Sequence, residues 1–265
     1  MHCGGEKPWV IVELNHHLFA LSAAWMRQLM LLPEVTAVPE LPEYVRGVIC
    51  VRGQVLPLVD LRRRVGMATV REEVDAFCDL MNARENDHRH WLRELQASIH
   101  SRQPFRLATD PHQCAFGKWY DGYRPPDPWL GALLKKLDVP HQRIHGLAAQ
   151  VRALQDQGVP EQAETLLNLT GVKLLGTMVR VFEDIRTLVR SSRRETVAIL
   201  TASSRSLAVT VDLAVAVERL TIEELPASAR TGSDRMIQRL GRRPRDQGIA
   251  LIVEPDEILG LAGGR

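Results

Sequence analysis

Four side chains in the middle of the sequence have the types and spacing to hold a metal ion: His88, Cys114, His141 and His145. His141 and His145 stand at i and i+4, which on a helix projects both rings from one face, one turn apart. Three imidazoles and one thiolate form a soft-to-borderline donor set suited to tetrahedral zinc. The same residues also fit an ordinary interior. An i,i+4 His pair is common on solvated helix faces, and a Cys in an apolar stretch is usually a packed side chain. Spacing alone leaves both readings open, because the donors are dispersed and not paired as in CxxC sites.

The elements that must position these residues are helical. Val74, Phe77, Met81, His88, Leu92, Leu95 and Ile99 follow helical spacing, which puts His88 in the inward stripe of a long helix. Gln103-Pro104 ends that helix, and Asp110-Pro111 reads as a turn. Cys114 opens Cys-Ala-Phe-Gly-Lys-Trp (Cys114 to Trp119) and is expected just before a turn. Pro128 opens a short helix ending near Leu137. Pro140 then starts the helix of His141 and His145, continuing through Ala148, Val151 and Leu154. Beyond Gly158-Val159-Pro160, Leu167, Leu174, Met178, Val181, Ile185 and Leu188 recur at helical intervals, with Leu175, Val179, Phe182 and Val189 widening the apolar face. Such a face implies burial in a bundle, with a homodimer contact as one way of covering it.

The ordered motifs Asp-His-x-x-Trp (Asp87 to Trp91), Cys-x-Phe-Gly-x-Trp (Cys114 to Trp119) and His-x-x-Ile-His (His141 to His145) resemble the chemoreceptor zinc-binding (CZB) domain. The resemblance covers roughly residues 74–160 and all four donor positions. It implies a four-helix bundle holding one Zn2+ through His88, Cys114, His141 and His145.

The chain has 265 residues, enough for about two domains. Hydrophobic residues at 45% and charged residues at 25% fit an ordinary globular protein, and a formal charge of +2 argues against a dedicated nucleic-acid binder. The stretches Arg62-Arg63-Arg64, Arg193-Arg194 and Arg242-Arg243 are short and read as solvated loops. No run of 18 apolar residues suggests membrane insertion, and Met1 to Pro8 has no apolar signal region. Cys3, Cys50, Cys78 and Cys114 are irregularly spaced, which suggests no disulfide framework and a cytoplasmic protein with reduced thiols.

Both flanks of the helical region read as β-structure. Trp9 to Leu14 and His17 to Leu21 are strands separated by a turn at Asn15, and Ala23 to Met30 suggests a short helix. Val45 to Val51 is a strand broken by Gly47; Arg52-Gly53-Gln54 is a tight turn, and Val55 to Leu61 is another strand. Gly47 and Gly53 permit tight turns, and Cys50 is expected to be buried. On the far side, Thr196 to Leu200, Ser206 to Leu213 and Ile249 to Val253 are β-rich.

The segment from Pro39 to Arg62 carries proline, tyrosine-valine, glycine-valine, arginine-glycine and aspartate-leucine in the order of the CheW-like adaptor family, which it resembles. Leu207 to Leu220 resembles the family's second half. It lacks the glycine before the valine-aspartate pair, and Ile237 to Arg243 lacks the isoleucine-glycine-isoleucine pattern. The expected architecture is α+β: a CheW-like pair of small β-barrels, from residues 8–70 and 193–262, interrupted by a zinc-binding four-helix bundle in 71–192. The resemblance implies a non-enzymatic adaptor that links chemoreceptors to the histidine kinase CheA, with partner contacts at Arg52 and Gly53. A zinc enzyme would need an open coordination position and a nearby carboxylate base, and no HExxH pattern accompanies the His pair. A zinc-dependent dimerisation or sensor module of another pathway is the remaining alternative. A site that responds to zinc, or to oxidants through Cys114, is a further expectation.

Overall fold

β-Branched and aromatic residues at the start of the chain build a hairpin. In the computed structural model, which describes residues 7–192, 195–202, 205–226 and 236–258, β1 (Trp9–Leu14) pairs antiparallel with β2 (His17–Ser22). Asn15 and His16 join them in left-handed backbone (φ 46 and 65), as a two-residue turn between twisted strands requires. The next element is a strand, β3 (Met26–Leu31), and not the short helix suggested over Ala23 to Met30. Its side chains alternate half-buried and exposed, and it pairs with β6 (Thr196–Ala202) from the far end of the chain. That distant ladder overrides the local propensity.

β4 (Val45–Val51) and β5 (Gln54–Asp60) form the second hairpin. Arg52 and Gly53 are its turn, both at positive φ (51 and 79). Gly47 lies inside β4 and not at a turn. It has φ 132, and a Cβ there would fall 2.2 Å from the Thr36 carbonyl oxygen. Cys50 is exposed, contrary to expectation, because Ile49 takes the inward side of the pleat. Arg62-Arg63-Arg64 is likewise not a solvated loop. It belongs to a helical turn, α1 (Leu61–Arg64), capped by the Asp60 carboxylate, which accepts from Arg63 N at 3.1 Å. Arg62 is 3% exposed and donates to both oxygens of Asp212 and to the Ala68 carbonyl.

The second β-segment continues with β7 (Arg205–Val211), β8 (Leu213–Glu218), β9 (Thr221–Glu224), β10 (Ile237–Arg242) and β11 (Ile249–Val253). β10 forms despite its irregular pattern because β9 and β11 both pair with it. Arg242 ends β10 and Arg243 is buried against Glu218 and Asp246, so this basic pair is not a solvated loop either. Arg193-Arg194, Cys3, the stretch before Lys7 and residues 259–262 lie outside the described residues.

One sheet has the order β8-β1-β2-β11-β10-β9 and the other β3-β6-β7-β5-β4. Pairing is antiparallel except for β2 with β11 and β5 with β7. Among the described residues the end strands of neither sheet pair with one another, so the sheets are not the closed barrels expected from the sequence. Val12, Leu14, Phe19, Leu21, Leu207 and Val209 belong to the main core of this β-unit.

The described residues divide into two compact units, one drawn from those within 7–70 and 195–258 and the other from 71–192. The second unit is helical. α2 (Val70–Ser101) leads through a 3-10 turn (Pro111–Gln113) to α3 (Ala115–Gly122), followed by α4 (Pro128–Lys135) and α5 (Asp138–Asp156). α6 (Pro160–Leu166) runs through a π-helical segment (Leu167–Gly171) into α7 (Val172–Ser192). Asp127 caps α4, accepting from Trp129 N at 2.8 Å, and Pro128 supplies the preset first φ. Met81, Leu95, Phe116, Ile144, Phe182 and Ile185 are almost fully buried in the shared core. Arg186 is buried among them; its guanidinium meets Glu85 at 3.0 Å and Glu183 at 2.6 Å. No described helix is long and apolar enough to cross a membrane.

Candidate metal centre

The helical stripes bring His88 from α2 together with His141 and His145 from α5. His88 lies three residues before Trp91 and four before Leu92, both inward-facing, so the α2 stripe carries its ring into the core. The three imidazoles are 2%, 5% and 1% exposed. Their ring centroids lie 5.0 Å (His88–His141), 5.7 Å (His88–His145) and 4.8 Å (His141–His145) apart.

Cys114 completes the group from the start of α3. It was expected just before a turn, and it is instead the N-cap of this helix. Its sulfur accepts from Gly117 N at 3.2 Å and lies 3.2 Å from His141 Nε2. The cap works because Gly117 lets the chain pass close to Pro111. A Cβ at Gly117 would lie 2.0 Å from the Pro111 carbonyl oxygen, which accepts from the Cys114 thiol at 3.2 Å.

One potential donor atom from each of the four residues lies within 4.8 Å of all the others. A tetrahedral zinc with bonds of about 2.0–2.3 Å spaces its donors roughly 3.3–3.7 Å apart, so small side-chain shifts would close the group around one ion. The hydrogen bonds fit the same chemistry. His88 Nδ1 is 2.7 Å from the Arg84 carbonyl and His145 Nδ1 is 3.1 Å from the Ala108 carbonyl. A carbonyl only accepts, so each Nδ1 bears the proton and each Nε2 a free lone pair. Both Nε2 atoms are buried with no hydrogen-bond partner. Buried imidazoles normally satisfy both nitrogens, so two unmet lone pairs in one cluster fit a cation bound between them.

Electrostatics favour the neutral, ligating form of each imidazole. Burial lowers the His88 pKa. Burial and then the neighbouring imidazoles bring His141 down to about 3 and His145 to about 4. Without a cation, burial raises the Cys114 thiol, opposed by the amides of Gly117 and Phe116. A positive centre would reverse that balance toward the thiolate.

The surrounding shell is aromatic. Phe116 packs edge-on to His141 at 4.9 Å, and the Trp91 ring lies 4.8 Å from His145. Trp91 Nε1 donates to the Ala108 carbonyl at 2.7 Å, the same oxygen that holds His145. The Asp-His-x-x-Trp motif contained Trp91 but did not reveal this role, and a backbone carbonyl such as that of Ala108 has no sequence signature. A cavity of about 250 Å³ is lined by His88, Cys114 and His145. His90 and His112 stay outside the cluster and face Glu94 and Asp121. Arg52 and Gly53 belong to the β-unit, at the exposed tip of the β4–β5 hairpin.

Comparison with known proteins gives two family matches. Residues 8–86 match the CheW-like domain and residues 88–152 the chemoreceptor zinc-binding domain. A probable chemotaxis protein CheW from Rhizobium etli is 33% identical over 63 residues, which is 24% of this chain and 41% of that protein's length. The match thus spans about two fifths of this curated relative. Among solved structures, the scaffolding protein TtCheW from Thermoanaerobacter tengcongensis overlays with TM-score 0.46 at 12% identity, covering 100% of this chain and 96% of that one. The regulatory CZB domain of DgcZ gives TM-score 0.37 at 17% identity, over 44% of this chain and 99% of that domain.

Proposed function

We propose that this chain, which carries a CheW-like domain together with a chemoreceptor zinc-binding domain, is a non-enzymatic chemotaxis adaptor coupling chemoreceptors to the histidine kinase CheA. It would act in the cytoplasm and hold one Zn2+ through His88, Cys114, His141 and His145. The observation that carries the metal reading is the pair of buried, unpartnered Nε2 atoms on His88 and His145, beside Cys114 and His141. Bound there, zinc would supply the missing electrophilic partner and tie α2, α3 and α5 together.

Everything else follows from the chain's own groups. The Arg84 and Ala108 carbonyls hold the rings of His88 and His145 in the ligating tautomer. The N-terminus of α3 presents the Cys114 sulfur, half-buried, where a thiolate is the form that oxidants attack. Four protein donors fill a tetrahedral shell, the pattern of a structural or sensing site and not of a catalytic one. Arg52 and Gly53, exposed at their hairpin tip, are the proposed partner contact.

Elemental analysis of the purified protein should find about one zinc per chain, lost in the Cys114→Ala/His141→Ala double variant. Full zinc in that variant would remove the assignment. Arg52→Glu should weaken capture of CheA or of receptor fragments, and unchanged binding of both would take the hairpin out of the interface. Measuring kinase–receptor complex affinity with chelator and with mild oxidant tests sensing. If zinc is lost and the affinity stays flat, the ion only holds the fold.

A further inference from the structure

The helical unit contains a second cavity, of about 710 Å³, which none of the metal donors lines. We propose that it binds an amphipathic monoanion, of the class of a medium-chain carboxylate. This goes beyond the adaptor reading and does not depend on it.

The cavity lies between the last turns of α2, the loop 102–110 and the C-terminal half of α5. Its volume is within the range of small-molecule sites. Leu95, Ile99 and Val151 line it; they are 1%, 6% and 1% exposed and offer only hydrocarbon. The loop wall is preformed. Phe105 lines the cavity and packs edge-on to Trp91 at 5.0 Å, while the Ala108 carbonyl in the same loop is held by Trp91 and His145. Gly158, with φ 75, turns the chain after α5 and also lines the cavity. A wall fixed before binding spares a ligand the entropy of ordering it.

The charges select the head group. Arg102 and Arg152 both line the cavity and are exposed, and among the described residues neither makes an ion pair. Asp156 is the one carboxylate lining it, so the lining carries a net single positive charge. A carboxylate head can be met by a guanidinium while its chain lies against the half-buried Phe105 and the exposed Pro104 and Pro160 of the lining. A neutral ligand leaves the guanidinium groups unused, and a cation is repelled by them.

Isothermal titration of the zinc-loaded full chain with decanoate, decanol and decylammonium, each below its micelle-forming concentration, tests the site. Decanoate should bind saturably at one per chain and about tenfold or more tighter than either other probe, the scale of one charge-assisted contact. Arg102→Glu/Arg152→Glu alters only exposed side chains, and its fold can be checked by circular dichroism. It should weaken decanoate about tenfold or more and strengthen decylammonium. Equal affinity for the three probes, absence of saturable binding, or an undiminished decanoate affinity in the charge-reversed variant would each overturn the proposal.

Discussion

Replacing Gly117 by alanine sets two opposite effects against each other, and the structure decides the sign. In an open helical position alanine is favoured over glycine by about 0.8–1 kcal/mol. At Gly117, however, the new Cβ would lie 2.0 Å from the Pro111 carbonyl oxygen and 2.9 Å from both the Pro111 carbonyl carbon and His112 Cα. Ordinary contact begins at 3.4 Å, so the start of α3 and the Pro111 turn must separate by about 1.4 Å. All three obstructing atoms are backbone, and no rotamer change relieves them. Overpacking costs about 1–3 kcal/mol, and a backbone clash falls at the upper end. The net loss should be about 2 kcal/mol, or roughly 6–10 °C in the melting midpoint of the helical unit. The separation also breaks the Cys114 thiol contact with Pro111 and the Gly117 amide contact with Cys114, so zinc content should fall with stability. Gly146→Ala and Gly176→Ala are the controls, because a Cβ at either helical glycine meets nothing within 4 Å. Both should raise the midpoint slightly. Melts followed by far-UV circular dichroism, paired with elemental analysis, read all three variants. A Gly117→Ala protein that melts at or above the parent with full zinc would refute the claim that this close approach holds Cys114 in place.

Acid should destabilise the metal-free protein. The folded imidazoles of His141 and His145 titrate near 3 and 4, below the unfolded value of 6.5. The stability they contribute is therefore full above about pH 6.5 and lost progressively as pH falls toward 4 for His145 and 3 for His141; a flat pH–stability profile over that window would contradict it. Arg62→Met should cost the β-unit roughly 2–3 kcal/mol in a denaturant titration, because Asp212 loses the guanidinium that holds both its oxygens. Trp91→Phe keeps an aromatic ring beside His145 and removes the 2.7 Å hydrogen bond to the Ala108 carbonyl. Zinc affinity in competition with a chelator should drop about tenfold, and no change would mean that His145 alone fixes that carbonyl.

Much of the site was legible because helical spacing maps sequence onto a face. His88 in a stripe with Leu92 and Leu95, and His141 one turn from His145, required only the period of a helix. Cys114 was legible as a candidate donor but not as a helix cap, since capping depends on Gly117 meeting Pro111 across a turn. The arginines misled. Arg62 and Arg243 read as solvated, yet each is buried against a carboxylate distant in sequence, Asp212 and Glu218. Charge predicts exposure only when no partner waits in the fold.

The sequence by itself determined the β-flanked helical organisation, the four candidate donors and the Arg52-Gly53 hairpin turn, because periodicity and turn chemistry are local. Tertiary structure alone decided what depends on distant pairing. It made Met26–Leu31 a strand by supplying β6 as its partner, and it left the two sheets open. It also gave His88 and His145 their carbonyl partners on Nδ1 and left both Nε2 atoms unmet. A strand is stabilised by its neighbour and an imidazole tautomer by whatever faces its other nitrogen, and neither partner is fixed until the chain has folded.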